Sequence, residues 1–570
     1  MAKLKMNWKT QRKKKVPLVM ALFNRIIKEL NLVEIINKSV KWSSEHWNLS
    51  PGTLAKFLLL GTCFDIRTPL MRYDDRFEGI DIEYFSENGD KGGSVNSYNI
   101  GEALERIGEA DSAAMYEKIV LNAFRQYEIP INRMNSDTTT ISFYGEYNEG
   151  DMDLNAEERD ELLKIEKGYN KDGRPDSKQL VVGQITNEHG FPMHMEAMDG
   201  GTSDIEWNRN AIEFVTHIRE KGFKTGIYVA DCKLVVDEHI TKMNDPENPI
   251  PFVSRCPASF SDKLESRMIK RAREEGEWQV AVNISEAKNA SEYKIKSFTE
   301  TLCGAPMRLV VVNSSTLAQA AEKAYEKSYG DALKQAETIE KGHYMCYADA
   351  EKAFNESRPE KVLAPINYEA SIEKQAIEKW PAGRRGKNTK PIIKETYHIK
   401  INNISKSEPY YAEFMHKESC FVLISNVDES VSDIEIVKTY KGQYVVENSF
   451  RQLKSPQLAS VIYLKNPERI EALTMLLHLA LLIRALVQYR LREGLAKHEE
   501  QNPGEAINAG WAGRPLANPT FKLFYEHTVN CYFERENHGE YSFYWPSFET
   551  KGRVEPLLEL MGYTLEELLG

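Results

Sequence analysis

The feature that most constrains this chain is a change of hydrophobic period near residue 130. Before it, segments 18–32, 54–64 and 100–127 carry apolar residues at helical spacing, with Pro17 heading the first and Ser50-Pro51 opening another helix. After it, 132–144 is rich in Thr, Ile, Phe and Tyr, residues that suit a pleated, half-buried surface. Segments 180–186 and 191–197 repeat the strand pattern on either side of Asn187-Glu188-His189-Gly190, a run suited to a hairpin turn. There follow an amphipathic helix at 204–221 closed by Gly222, a short apolar strand at 226–232, a short helix at 237–243 and a strand at 251–256. The acidic stretch 146–167 predicts a surface helix and loop.

Three antiparallel strands followed by β-α-β additions form the order of a ribonuclease H-like sheet, mixed and covered by helices on both faces. Right-handed crossovers set the fourth strand beside the first. Asp137 then lies inside strand one and Asp231 near the end of strand four, and strands about 4.8 Å apart would let both carboxylates meet. Acids embedded among β-branched and apolar residues are unusual, since such positions favour burial. Each one alone is more often a cap or a structural acceptor.

Residues 257–420 interrupt this pattern, mixing a helix signal at 317–340 with strand signals at 307–312, 397–402 and 420–425. A helix at 432–453 ended by Pro456 and a long apolar helix at 466–491, capped by Asn466 and Pro467, resume it. The expected organisation is a helical N-terminal domain (1–128) with a basic arm, an α/β core in two parts (129–256 and 426–492), an inserted α+β subdomain (257–425) and a polar tail (493–570).

A net charge of −11 runs against the basic footprint usual in nucleic-acid binders. Charge is nevertheless clustered. One basic run includes Lys9, Arg12, Lys13, Lys14 and Lys15; another contains Lys379, Arg384, Arg385, Lys387, Lys390 and Lys394. Either run alone reads equally well as a solvated surface. Seven cysteines, an odd number with no C-x-x-C spacing, argue against a disulfide framework or a zinc site and read as single buried thiols. No apolar core follows the basic N-terminus, so no secretory leader is expected. The apolar stretch 472–483 is short against the roughly 20 residues a membrane span needs. It reads as a buried helix of a cytoplasmic protein with no membrane partner.

Tyr440, Gln443, Glu447, Arg451 and Lys454 follow one another at offsets of 3, 4, 4 and 3, one stripe of a helix. A carboxylate flanked by Tyr, Arg and Lys can serve a metal and phosphates together. On spacing alone, a Glu447–Arg451 surface ion pair is the simpler reading. Tyr, two residues, Arg, three residues, Glu, six residues, Lys is, however, the signature of one branch of bacterial DDE insertion-sequence transposases. This chain resembles it at Tyr440, Glu447 and Lys454, with Gln443 in place of the Arg. Arg174-Pro175-Asp176-x-Lys178-Gln179, Gly190-x-Pro192 and 461–471 are similar to the same transposases, and the resemblance covers roughly residues 130–490.

The resemblance implies a ribonuclease H-like core in which Asp137, Asp231 and Glu447 bind two Mg²⁺, with Mn²⁺ able to substitute. It implies double-stranded DNA as partner (terminal inverted repeats and target), contacted by Tyr440 and Lys454, and a homodimer in the active complex. Gln443 could still hydrogen-bond a phosphate, with Arg451 a substitute for the missing charge. Arg384, Arg385, Lys387, Lys13 and Lys14 are further candidate DNA contacts. The spacings fit an insert before the last acid, 231 − 137 = 94 against 447 − 231 = 216. A transposase-derived DNA binder that no longer cuts and a different ribonuclease H-like nuclease are the alternatives.

Overall fold

The computed structural model describes residues 14–64, 69–93, 95–143, 162–281, 291–380, 382, 390–459, 464, 466–536 and 539–569. The chain divides into two units, the first made of residues 1–234, 245–251 and 439–570, the second of 235–244 and 252–438.

In the first unit, β1 (Arg133–Phe143), β2 (Lys178–Asn187), β3 (Pro192–Met198) and β4 (Ile227–Ala230) lie in the order β3–β2–β1–β4. The β1–β2 and β2–β3 pairs are antiparallel and β1–β4 is parallel, so this is a mixed sheet. All four strands fall within two residues of the spans expected from sequence. The β2–β3 turn forms because the Asn187 side chain accepts from the backbone N–H of His189 and Phe191, while Gly190 takes φ +87°.

Helix α1 (Asp204–Glu220) starts at Ser203, whose hydroxyl accepts from the Glu206 N–H. Its buried Trp207 lies over Gly183 of β2 and donates to the Ser136 hydroxyl at 2.9 Å, fixing α1 to one sheet face. Residue 133 alternates to the other face. There the Arg133 guanidinium lies against Gly442, just before helix α2 (Tyr444–Leu453), which packs on β1 and β2.

The segment 14–126 is mostly helical, as expected, although the helix expected at 18–32 breaks into Leu18–Glu29 and Leu32–Ser39 at Asn31, which takes φ +55°. These helices surround α3 (Pro467–Gln501), whose cap is Asn466 accepting from the Arg469 N–H. Helix α3 is long and apolar enough to cross a membrane, but 89% of its most apolar window is buried inside the protein. That window is apolar on all sides, as suits a helix packed among neighbours.

Two sequence expectations are corrected. The helix expected over 432–453 is two helices, Asp433–Lys441 and α2, interrupted at Gly442-Gln443. The 493–570 segment, expected as a polar tail, carries more regular structure than its pattern suggested: α3 runs on to Gln501, and helices Phe521–Thr528 and Phe548–Leu560 follow. Strands Tyr532–Arg535 and Tyr541–Tyr544 form a three-stranded sheet with Lys15–Pro17. The thiols also differ from expectation. Cys63, Cys256, Cys420 and Cys531 are buried, Cys232 is partly so, and Cys303 and Cys346 are exposed; all seven are unbridged.

The second unit holds β5 (Phe252–Arg255), β6 (Gln279–Ala281), β7 (Tyr293–Leu302), β8 (Ala305–Ser314), β9 (Ile366–Lys379), β10 (Ile392–Lys406) and β11 (Cys420–Ser425). Five of these run β5–β11–β8–β7–β6 in antiparallel pairs. The other two, β9 and β10, form a long hairpin. A small core of Ala332, Ala336, Ile339, Ile399 and Ile401 fastens that hairpin to the helix Ser315–Glu340.

Candidate active site

Strand β1 pairs with β4 so that Arg133 faces Ile227, Met134 faces Tyr228 and Asn135 faces Val229. Asp137 lies two residues beyond the last of these pairs in β1, and Asp231 follows directly on the end of β4, close enough for its charge to act on Asp137. The two acids act on each other electrically, and burial is the main reason that both hold their protons more tightly than a free aspartate. Asp137 is pushed up to about 6: burial raises it, the Lys171 ammonium and the Thr138 N–H oppose, and the charges of Asp231 and Asp204 add to it. Asp231 is raised by burial and by Asp204, against the Lys233 N–H and the Lys171 charge. Asp137 is nonetheless reachable, its side chain being 27% exposed.

Lys171 and Asp204 were not singled out from sequence. The Lys171 Nζ stands 3.1 Å from an Asp204 oxygen and 3.7 Å from Asp137, and donates to the Thr138 carbonyl at 3.1 Å. Asp204 also accepts from the Thr138 hydroxyl. The loop carrying Lys171 is stitched to β1: Asn170 donates to the Ser142 hydroxyl at 3.0 Å, and the Lys171 N–H donates to the Thr140 hydroxyl at 3.2 Å. Gly173 closes the turn at φ +71°. The available signal was Asn170-Lys171-Asp172-Gly173, a turn just upstream of the Arg174-Pro175-Asp176 run. Across the β1–β2 ladder, Asp137 faces Gln184. Gln184 is fully buried, and neither end of its amide has a hydrogen-bond partner among the described residues. The Asn135 Oδ1 and the Thr186 hydroxyl on the same face are likewise without partners there.

The proposed stripe is only partly continuous. Glu447 and Arg451 lie on α2, Lys454 caps its end, and Tyr440 and Gln443 precede it across the break at 442–443. The Gln443 amide donates to the Ser136 carbonyl at 3.3 Å, which ties the start of α2 to the strand carrying Asp137. Lys454 donates to both oxygens of Asp172 at 2.7 and 2.8 Å. Arg451 donates to the Asn448 side chain at 2.7 Å rather than to Glu447. Tyr440 is half-buried and Glu447 is exposed. Lys14 pairs with Glu83 at 3.3 Å and Asp81 at 3.8 Å. Lys13, Arg384, Arg385 and Lys387 lie outside the described residues; the last three fall between β9 and β10.

As a seat for a divalent cation, the pair Asp137–Asp231 has the right chemistry: oxygen donors whose mutual repulsion a cation would relieve, next to buried amide and hydroxyl groups lacking partners. It is incomplete as a three-carboxylate site. Among the described residues, no group of three or more His, Cys, Asp or Glu stands close enough to hold a metal ion.

Residues 14–121, most of the helical segment, match a family described as a domain of unknown function, DUF4277. Among solved structures, the chain is similar to a piggyBac transposase synaptic complex with hairpin DNA, studied by cryo-EM. That match has 11% identity and a TM-score of 0.27, and it covers 52% of this chain and 60% of that one. No curated protein matches.

Proposed function

We propose that this protein is a DNA transposase of the DDE type, built on a ribonuclease H-like core, which cleaves strands at element ends and joins them to target DNA. The observation that supports this reading is the parallel pairing of β1, which carries Asp137, with β4, which Asp231 directly follows, on a mixed sheet, with the start of the Glu447 helix tied to β1. The Tyr440, Glu447 and Lys454 spacing supports it.

Asp137, Asp231 and Glu447 would hold two Mg²⁺, or Mn²⁺. Bound there, such ions activate a water or a 3′ hydroxyl and stabilise the leaving oxygen. Lys171 holds Asp137 and Asp204 in place and keeps Asp137 more acidic than burial alone would leave it. Gln443, fastened to the Ser136 carbonyl, positions α2 and does not stand in for a phosphate-gripping Arg. Lys454 can exchange its exposed partner Asp172 for a DNA phosphate, and Arg451 is half free to do the same. The helical segment with Lys13 and Lys14, and the hairpin run of Arg384, Arg385 and Lys387, would hold duplex DNA. Two copies would pair two element ends, acting in the bacterial cytoplasm on the nucleoid. Exposed Glu447, outside any three-carboxylate cluster, is the observation favouring the second reading, a DNA binder that does not cut.

The test is cleavage, with Mg²⁺, of a plasmid carrying the inverted repeats that flank the gene. The wild-type protein cuts at the repeats, and Asp137→Ala, Asp231→Ala and Glu447→Ala each bind the ends without cutting. Undiminished cutting by any of the three rejects the assignment; a wild type that binds the ends and never cuts selects the second reading.

A further inference from the structure

A cleft of about 950 Å³ opens between α2, α3 and the segment 518–526, and Arg451 of the Glu447–Lys454 stripe lies on its border. Three arginines line it: Arg451 of α2, and Arg484 and Arg492 of α3. Among the described residues none of the three is paired with a carboxylate. Arg451 donates to Asn448, Arg484 to the Thr62 carbonyl at 2.8 Å and Arg492 to the Pro519 carbonyl at 3.1 Å. The two carboxylates that also line the cleft have partners other than these arginines, one of them a lysine of the cleft itself. Glu188 accepts from Asn132 and the Arg133 N–H, and Glu526 lies 3.7 Å from Lys522.

Arg484 is the telling member. It is 4% exposed, its Nε has no hydrogen-bond partner among the described residues, and its guanidinium lies 5.0 Å above the Phe521 ring. Burying a cation without a counter-charge is costly, and it is tolerated where a ligand supplies the anion. Burial pulls the Arg484 guanidinium down to about 10, against the opposing influence of Cys63 and Tyr525. One open aromatic face accompanies the charge: Tyr444, 60% exposed, lines the same cleft, while Tyr525 beside it is buried.

Cations without counter-ions beside an open aromatic face are the chemistry of a polynucleotide strand, with phosphates on the guanidiniums and a base on the ring. The size decides which form fits. A volume of this order holds a drug-sized ligand, comparable to a few nucleotides, and not a duplex roughly 20 Å across. We infer that this cleft binds a single strand of nucleic acid, with its phosphates on Arg451, Arg484 and Arg492. The inference deepens the proposed function by giving one separated strand a path along α2, and rests on it only for the identity of the strand as DNA.

The test is fluorescence anisotropy of a labelled short oligothymidylate with the full-length protein, with an unlabelled duplex of equal length and inorganic phosphate as competitors. Arg492→Glu weakens oligothymidylate binding about ten- to a hundredfold, the loss expected for one charge-assisted contact. Tyr444→Ala weakens it about five- to a hundredfold, as for one stacking contact. Arg484→Met, with its fold checked by circular dichroism, behaves as Arg492→Glu does. Wild-type affinity in both Arg492→Glu and Tyr444→Ala overturns the inference. So does a duplex that competes as well as the oligothymidylate, or displacement by millimolar phosphate alone, which would mark a simple anion site. Asp137→Asn separates this from the catalytic reading, because it loses cleavage and keeps oligothymidylate affinity. If the wild type never cuts but Arg492→Glu still loses the strand, the transposase reading falls and the cleft stands.

Discussion

Replacing Asp137 by Asn tests the electrostatics of the site directly, through stability. In the native protein burial raises the Asp137 pKa from 3.8 to about 6. An acid whose native pKa is raised costs the folded state nothing while both states are protonated, below pH 4. Between pH 4 and 6 the unfolded chain sheds the proton that the native protein retains, so stability falls as pH rises, and above pH 6 the full penalty persists. A rise of about two units at 1.36 kcal/mol each is about 3 kcal/mol at pH 8, and the same linkage gives about 1.6 kcal/mol at pH 5. Asn has Asp's shape, can accept from the Thr138 N–H and carries no charge, so it recovers most of this. For a unit of roughly 370 residues unfolding with about 2.1 cal/mol/K per residue, 3 kcal/mol amounts to about 4 °C. The assay is scanning calorimetry of wild type and Asp137→Asn in EDTA at pH 5 and pH 8. The first unit of Asp137→Asn melts higher at pH 8, with about half that gain at pH 5. A lower melting temperature at pH 8, or an equal shift at both pH values, would refute the claim that this carboxylate is held desolvated beside Asp231. Mg²⁺ should raise the wild-type melting temperature more at pH 8 than at pH 5, and that of Asp137→Asn far less.

Lys171→Met removes the charge that opposes burial at Asp137, so the acid limb of the cleavage–pH profile moves to higher pH; an unmoved limb means that Lys171 does not act on Asp137. Gly183→Ala would put a Cβ 2.2 Å from the Trp207 ring, so we expect a loss of about 1–3 kcal/mol in thermal or urea unfolding, with Ser136 and α1 displaced. Glu87→Gln strips the fully buried Lys56 of its carboxylate partner and should cost about 3–5 kcal/mol. An unchanged urea midpoint for that variant would show that Lys56 is not held charged.

The residues that were legible in the sequence are those whose signal is local. The Asn187 turn, the Ser203 and Asn466 caps, and the spans of β1–β4 follow from side chains within a few positions of each other. The parallel neighbourhood of the strands that carry or precede Asp137 and Asp231 followed from one topological rule. The break at Gly442-Gln443 was hidden because the helical spacing runs through it. At the break a distant neighbour, Arg133, lies so close that a Cβ at Gly442 would be 2.1 Å from its Nη1, a contact no local pattern shows. Lys171 and Asp204 were missed for the same reason, since a loop lysine and a first-turn aspartate look like solvated charges until the fold sets them around Thr138. The strands at 532–535 and 541–544 depend on pairing with residues 15–17, which no local pattern reveals.

That last pairing dictates an order of events during synthesis. Val16 lies in its strand opposite Phe533, and Leu18 donates its N–H to the Cys531 carbonyl. A ribosome must therefore extrude more than five hundred residues before this edge is satisfied, with the whole second unit made in the meantime. A nascent chain halted short of residue 531 leaves the Val16 edge and the Leu18 N–H without their partners and open to any passing strand, and shortened forms of this protein should be those that chaperones retain and that aggregate.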